Sequence, residues 1–265
     1  MLIKRIITAL IGIPIIFAAI YFGALPFFIL MLLTVFFCVQ EYLLVLKKYE
    51  PHFYISLAMS VAFFILLFFD NDSTLTAFCA LSMLFVLFVF EVVKGNVSNC
   101  IARISTSFLG SFFLPLSLSY LIYIRQLQNG MEFIFFLFIT TWVLDTAAFF
   151  FGVKFGRHKL AKNVSPKKTV EGAVAGIIFG ILTAVLCRFI FMSGFLTVYQ
   201  SAIAGFIIAL TGQFSDLAES LFKRDSGVKD SGAIIPGHGG FLDRFDSYLF
   251  AAPALYYLLS HFNIQ

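Results

Sequence analysis

The residues best suited to chemistry crowd into one stretch, Gln213–Asp246. It holds five aspartates, one glutamate, four cations, a histidine and five glycines in a chain that is otherwise mostly hydrocarbon. Asp216, Glu219 and Ser220 stand at i, i+3 and i+4, the spacing that shares one helix face. Asp243 and Asp246 repeat the i, i+3 spacing at the start of the next apolar run. Between them Gly227, Gly232, Gly237, Gly239 and Gly240 allow the segment to fold back on itself. Carboxylates with no Cys/His spacing beside them suit a hard cation, Mg²⁺ or Mn²⁺, before zinc. The plainer alternative is that Asp243 and Asp246 answer a helix dipole and pair with Lys223 and Arg244. Three acids at the ends of two adjoining apolar segments favour the metal, because charge at a bilayer edge is costly to keep without a task.

Three smaller constellations accompany this stretch. Ser165-Pro166-Lys167-Lys168-Thr169-Val170-Glu171-Gly172 opens an apolar run, and Ser165 with Pro166 reads as an N-cap followed by proline at the first helical position. Lys167 and Lys168 beside a helix N-terminus suit a phosphate; equally, they suit lipid headgroups, which also account for Lys154, Arg157, Lys159 and Lys162. Pro236-Gly237-His238-Gly239-Gly240 can build an anion nest from its amides, although a tight turn needs the same residues. His238 either contacts a phosphate or base or serves as a structural hydrogen-bonder. Asp145, in Trp142-Val143-Leu144-Asp145, is an acid inside an apolar run that holds a metal, orients a lysine or pairs with a buried base. Glu41 and Glu91 read as interfacial partners of Lys47, Lys48 and Lys94.

The elements that must position these groups are membrane helices. Of 265 residues, 61% are hydrophobic and 12% charged, against about 25% charged in soluble domains. A net charge of +4 suits cationic loops against an anionic leaflet, and a nucleic-acid binder would not commit most of its chain to lipid. Cys38, Cys79, Cys100 and Cys187 are scattered, which argues against a disulfide framework or zinc site. Lys4 and Arg5 precede an apolar run that reads as a retained first helix. Runs near the roughly 20 residues a span requires occur at 6–23, 26–46, 52–69, 74–93, 106–124, 132–152, 170–192, 200–222 and 245–262. The expected fold is therefore all-α, a polytopic membrane protein with about nine transmembrane helices, the fifth kinked by Pro115.

With a cytoplasmic N-terminus, 16 of the 18 lysines and arginines fall on the inner side, and Arg125 and Arg188 remain outside. The loops at 153–169 and 223–244 then both face the cytoplasm. Residues 1–105 form a transmembrane scaffold, and 106–265 form the catalytic region.

Taken together, Ser220-Leu221-Phe222-Lys223-Arg224, Lys229-Asp230, Pro236-Gly237-His238-Gly239-Gly240 and Asp243-Arg244-Phe245-Asp246 closely resemble the signature of the phosphatidate cytidylyltransferases, or CDP-diacylglycerol synthases. The SPKKTVEG and Trp142–Asp145 segments resemble that family's other markers, so the likeness covers roughly the C-terminal half. It implies that CTP and phosphatidic acid give CDP-diacylglycerol and pyrophosphate for phospholipid biosynthesis. It also implies Mg²⁺, alone or with a second cation, a homodimer, and a bacterial inner membrane with the site facing the cytoplasm. Asp216, Asp243 and Asp246 would be the metal centre, and Lys167 and Lys168 would lie beside the nucleotide phosphates. Ser165, Lys223, Arg224, Lys229, Asp230, His238, Gly239, Gly240 and Arg244 would meet substrate, and Asp145, Glu171, Glu219 and Ser220 would support them. Two rivals are a CTP-dependent polyprenol- or phytol-type lipid kinase, which would release CDP, and a cation-coupled transporter. The latter would keep its acids near the bilayer midplane.

Overall fold

Apolar runs of this length satisfy their backbone groups in hydrocarbon only by closing into helices, and the chain does so almost throughout. The computed structural model describes residues 2–70, 72–235, 237 and 239–264, with side chains described at residue 8 and from residue 10 onward. Among these, the helices are α1 (Leu2–Tyr21), α2 (Ala24–Val45), α3 (Phe53–Phe69), α4 (Ser73–Lys94), α5 (Cys100–Phe108), α6 (Leu114–Gln126), α7 (Gly130–Phe155), α8 (Val170–Phe191), α9 (Val198–Asp225), the short α10 (Leu242–Phe245) and α11 (Tyr248–His261). Each apolar run expected to span coincides with one of these helices, and the fifth runs through both α5 and α6.

Among the described residues, six stretches are long and apolar enough to cross a membrane: α2, α4, the continuous Cys100–Gln126, α7, α8 and α9. Leu10–Tyr21 and α3 are shorter apolar helices, and α11 has 14 residues. Large apolar side chains on α4 (Phe78, Phe85, Val92, Val93) and α8 (Leu182, Phe189, Ile190) lie exposed. Surfaces that apolar belong in lipid, since water would penalise patches of this extent. The chain is an integral membrane protein.

The fifth segment is irregular just ahead of Pro115, around Ser111, whose carbonyl the proline cannot pair with. Pro115 sits one residue into α6, and the five residues before that helix, Leu109–Phe113, form a π turn joining α5 to α6. A π turn absorbs an extra residue within an otherwise helical run, so the irregularity lies ahead of the proline.

The cytoplasmic loop expected at 153–169 is also different. α7 continues to Phe155, and the rest forms an antiparallel hairpin of β1 (Lys159–Ala161) and β2 (Ser165–Thr169), pairing Lys159 with Thr169 and Ala161 with Ser165. Ser165 is not the cap of α8. That role belongs to Thr169, whose Oγ1 accepts from the Gly172 amide at 3.2 Å. Proline pushes the residue before it toward extended backbone, and on a two-stranded ribbon its missing N–H is tolerated. Ser-Pro therefore favours a strand here, and the β-branched threonine at its end becomes the cap.

The chain forms two compact units. The first, Met1–Ile122 with Phe222–Phe245, is built on α2, whose Phe27, Met31, Val35, Cys38 and Val39 are fully buried. Phe28 stacks on Phe64 and Phe68 of α3, and Phe63 of α3 stacks on Phe112. The second unit is Tyr123–Leu221 with Asp246–Gln265. Here α7, α8 and α9 approach through small residues. A Cβ on Gly172 would strike the Ala148 carbonyl at 2.6 Å, and one on Gly205 would meet Ala184 Cβ at 2.6 Å. Gln213 Nε2 ties α9 to the Ala173 carbonyl at 3.2 Å.

Candidate functional site

In the second unit, acids from three elements bear on one carboxyl group. α7 supplies Asp145, α9 supplies Asp216 and the fully buried Glu219, and the turn before α11 supplies Asp246. Asp246 lies within electrostatic range of Asp216, Glu219 and Asp145. Its backbone is pinned meanwhile: Ser215 Oγ on α9 donates to the Asp246 carbonyl, and the Ser247 amide donates to Asp246 Oδ1 at 2.7 Å.

The hairpin brings a cation to this group. Lys168 Nζ lies 2.7 Å from Asp216 Oδ2, and Ser220 Oγ lies 3.5 Å from Asp216 Oδ1, at the limit of a hydrogen bond. Strand alternation turns neighbouring residues to opposite faces, and Lys167 is exposed while Lys168 is half-buried. Ser165, at the start of the same strand, is half-buried. Glu171, in the first turn of α8, closes the bend between α7 and the hairpin. It accepts from the Arg157 amide at 3.0 Å and meets His158 through the amide (3.2 Å) and Nδ1 (2.6 Å).

In the first unit, the segment between α9 and α10 wraps around two carboxylates. Asp243, on α10, receives Lys223 Nζ at 2.7 Å on Oδ1, and the amides of Ser231 (3.1 Å) and Gly240 (2.9 Å) on Oδ2. Burial works to raise this carboxyl, but the Lys223 ammonium and the Gly240 and Ser231 amides prevail and hold it below the ordinary aspartate range. The ion pairing with Lys223 that the sequence offered as the plainer alternative is thus present at Asp243. Asp243 and Asp246 do not share the start of one helix, because α10 ends at Phe245 and α11 begins at Tyr248.

The second carboxylate of this unit is Glu41, almost fully buried on α2. Its Oε1 accepts from the Phe241 amide at 3.0 Å, and its Oε2 accepts from the Leu242 amide at 2.9 Å and Ser231 Oγ at 3.0 Å. A side chain at two glycines would displace it: a Cβ on Gly232 would sit 2.5 Å from Glu41 Oε1, and one on Gly240 would collide with Oε2. The expected interfacial pairing of Glu41 with Lys47 and Lys48 is therefore replaced by a loop contact. Lys48 pairs instead with Asp225, at 3.2 Å. Glu91 likewise bypasses Lys94 and takes the buried Arg103 guanidinium (2.7 and 2.8 Å) and His52 Nε2 (2.7 Å). The signal available in the sequence is Glu41's position as the lone acid in the apolar run 26–46.

The remaining sequence candidates are more peripheral. Arg224 donates to the Val228 carbonyl at 2.9 Å, and Lys229, Asp230 and Arg244 are exposed. Gly239 has φ +85°, a conformation that favours glycine, and bridges to Ile235. His238 lies outside the described residues.

Among the described residues, no group of three or more His, Cys, Asp or Glu side chains is arranged to hold a metal by protein ligands alone. Mg²⁺ does not require such a cage; it commonly takes one or two carboxylates and completes its shell with water and substrate phosphates. An all-oxygen donor set whose charges crowd one aspartate fits that pattern, because a bound cation relieves the repulsion.

A profile described as the cytidylyltransferase family matches residues 3–262. A phosphatidate cytidylyltransferase of Staphylococcus saprophyticus is 39% identical over 194 residues, 71% of this chain and 70% of that protein. One of Bacillus subtilis is 36% identical over 197 residues, 74% of this chain and 72% of that protein.

Proposed function

The chain belongs to the cytidylyltransferase family, and on that premise we propose that it transfers CMP from CTP to phosphatidic acid. The products are CDP-diacylglycerol and pyrophosphate, and the reaction feeds phospholipid synthesis. The observation that carries this reading is the family match across nearly the whole chain, joined to relatives whose shared name is phosphatidate cytidylyltransferase.

A phosphate oxygen of phosphatidic acid attacks the α-phosphorus of CTP. A new P–O bond forms, the α–β bridge breaks, and pyrophosphate leaves with the electron pair. The second ionisation of a phosphate monoester lies at about 6, so the nucleophile is largely dianionic at neutral pH and needs no strong base. Positioning and charge neutralisation then supply most of the rate. Asp216, Asp243 and Asp246 are the carboxylates assigned to Mg²⁺. Asp216 and Asp243 would each exchange a lysine ammonium, Lys168 and Lys223 respectively, for the ion. Held by these carboxylates, Mg²⁺ would supply neutralisation of phosphate charge. Lys168 leaves Asp216 to meet the nucleotide phosphates, with Lys167, Lys229 and Arg244 adding positive charge. Gly239 and Gly240 are assigned to the phosphate approach, as is His238 by its place in the sequence, while Asp145, Glu171, Glu219 and Ser220 support the ligands.

The wider assignment has nine spans, a cytoplasmic N-terminus and loops 153–169 and 223–244 in the cytoplasm. It also has a homodimer in the bacterial inner membrane, with residues 1–105 as scaffold and 106–265 as catalytic region. Purified protein in detergent should convert CTP and phosphatidic acid to CDP-diacylglycerol with stoichiometric pyrophosphate when Mg²⁺ is present, and should stop on chelation. Release of CDP instead would mark a lipid kinase, and nucleotide-independent ion flux in liposomes would mark a transporter.

A further inference from the structure

Glu41 lies 190 residues before Ser231 and 201 before Leu242, yet it binds both. The helix that carries it is rigidly packed: Cys38, Val39, Tyr42 and Leu43, which surround it on α2, are all buried to within 1% of full occlusion. The loop it grips is the opposite. Between α9 and α10 the described residues contain no helix or strand, only the Ile235–Gly239 bridge, and Val228, Ala233 and Ile234 are exposed. Apart from Phe241 stacking on Phe37 (4.9 Å), this loop is shaped mainly by donors converging on Glu41 and Asp243.

An ionised carboxylate only accepts hydrogen bonds, and the three donors around Glu41 match that demand. A buried charge is a poor way to gain stability, since apolar packing of the same volume usually does as well or better. Its benefit is geometric: it fixes where Ser231, Phe241 and Leu242 stand, and so where the intervening glycines and the adjoining Asp243 stand.

We propose that Glu41 is a positioning residue of the transfer reaction, holding the 231–242 loop on α2 so that Gly239, Gly240 and Asp243 are presented to the nucleotide phosphates. This role rests on the CMP-transfer reading and adds to it a residue from the N-terminal helices. Glu41 touches no substrate and acts through the loop.

The test is Glu41→Gln, near-isosteric but with an amide where one oxygen was, so that a donor faces a donor. Gly232→Ala attacks the same contact from the loop side and leaves Glu41 intact, its Cβ falling 2.5 Å from Oε1. Both variants should lower kcat/KM for CTP by about ten- to a hundredfold, the scale of one or two charge-assisted hydrogen bonds, with KM for phosphatidic acid unchanged. Amide hydrogen exchange should accelerate at 231–242 and stay as in wild type along α7 and α8. Unchanged protection of 231–242, or equal loss toward both substrates in proportion to lost folded protein, would overturn the role. A wild-type protein that makes no CDP-diacylglycerol would sink the functional reading instead, and the exchange measurement on Glu41→Gln would still decide the loop contact.

Discussion

The two compact units each gather carboxylates, and they treat them in opposite ways. In the first, Glu41 and Asp243 are met oxygen by oxygen with donors: three on Glu41, and an ammonium with two amides on Asp243. In the second, Asp145, Asp216 and Glu219 set their charges against Asp246, with Lys168 the cation paired to Asp216. Satisfied carboxylates define a shape. Crowded carboxylates favour whatever brings positive charge among them, a proton or a cation. On the proposed assignment, the loop to be ordered and the acids that receive an ion use the same kind of side chain for different ends.

Asp246→Asn should break the contrast most sharply. The amide carries no charge for Asp216, Glu219 and Asp145 to oppose, so thermal stability should not fall, while CMP transfer falls by about a thousandfold, the upper range for losing one preorganised electrostatic group; calorimetry and product analysis on one preparation check both. Glu41→Ala should do the reverse to stability, stranding buried donors and lowering it by about 3 kcal/mol, read from denaturation in detergent. Lys168→Ala, which frees Asp216, should reduce kcat/KM for CTP by roughly tenfold, on the order of one surface charge-assisted contact to phosphate. A larger loss from Lys167→Ala than from Lys168→Ala would reverse the assignment of the two strand faces. Ser220→Ala should change the rate by no more than about twofold, because a contact at the distance limit contributes little.

Much of the first level of structure was legible in the sequence because hydrocarbon thickness and backbone satisfaction are local demands. Every apolar run became helix, and the shared face of Asp216, Glu219 and Ser220 followed from helical spacing. Local chemistry misled where two signals competed. Ser165-Pro166 fits a helix start, but Thr169 is equally able to cap and the proline suits a strand edge, so the helix begins later. At Pro115 the proline is visible in the sequence, but the π turn ahead of it is not. Sequence proximity points Glu41 and Glu91 to the nearest lysines, whereas burial selects partners that complete each carboxylate. For Glu41 these come from a loop 200 residues away, and for Glu91 they are Arg103 and His52. Partners as distant as those of Glu41 leave no spacing to read.

That separation has a consequence for how the molecule is made. Translation delivers α2 early, and its acid must wait through the synthesis of most of the polypeptide before Ser231, Phe241 and Leu242 emerge to bind it. The glycine-rich loop can therefore close only as a late step, onto a helix already inserted. A ribosome-bound chain halted before residue 231 would carry every helix from α1 to α9 and still lack the contact that gives its last loop a shape.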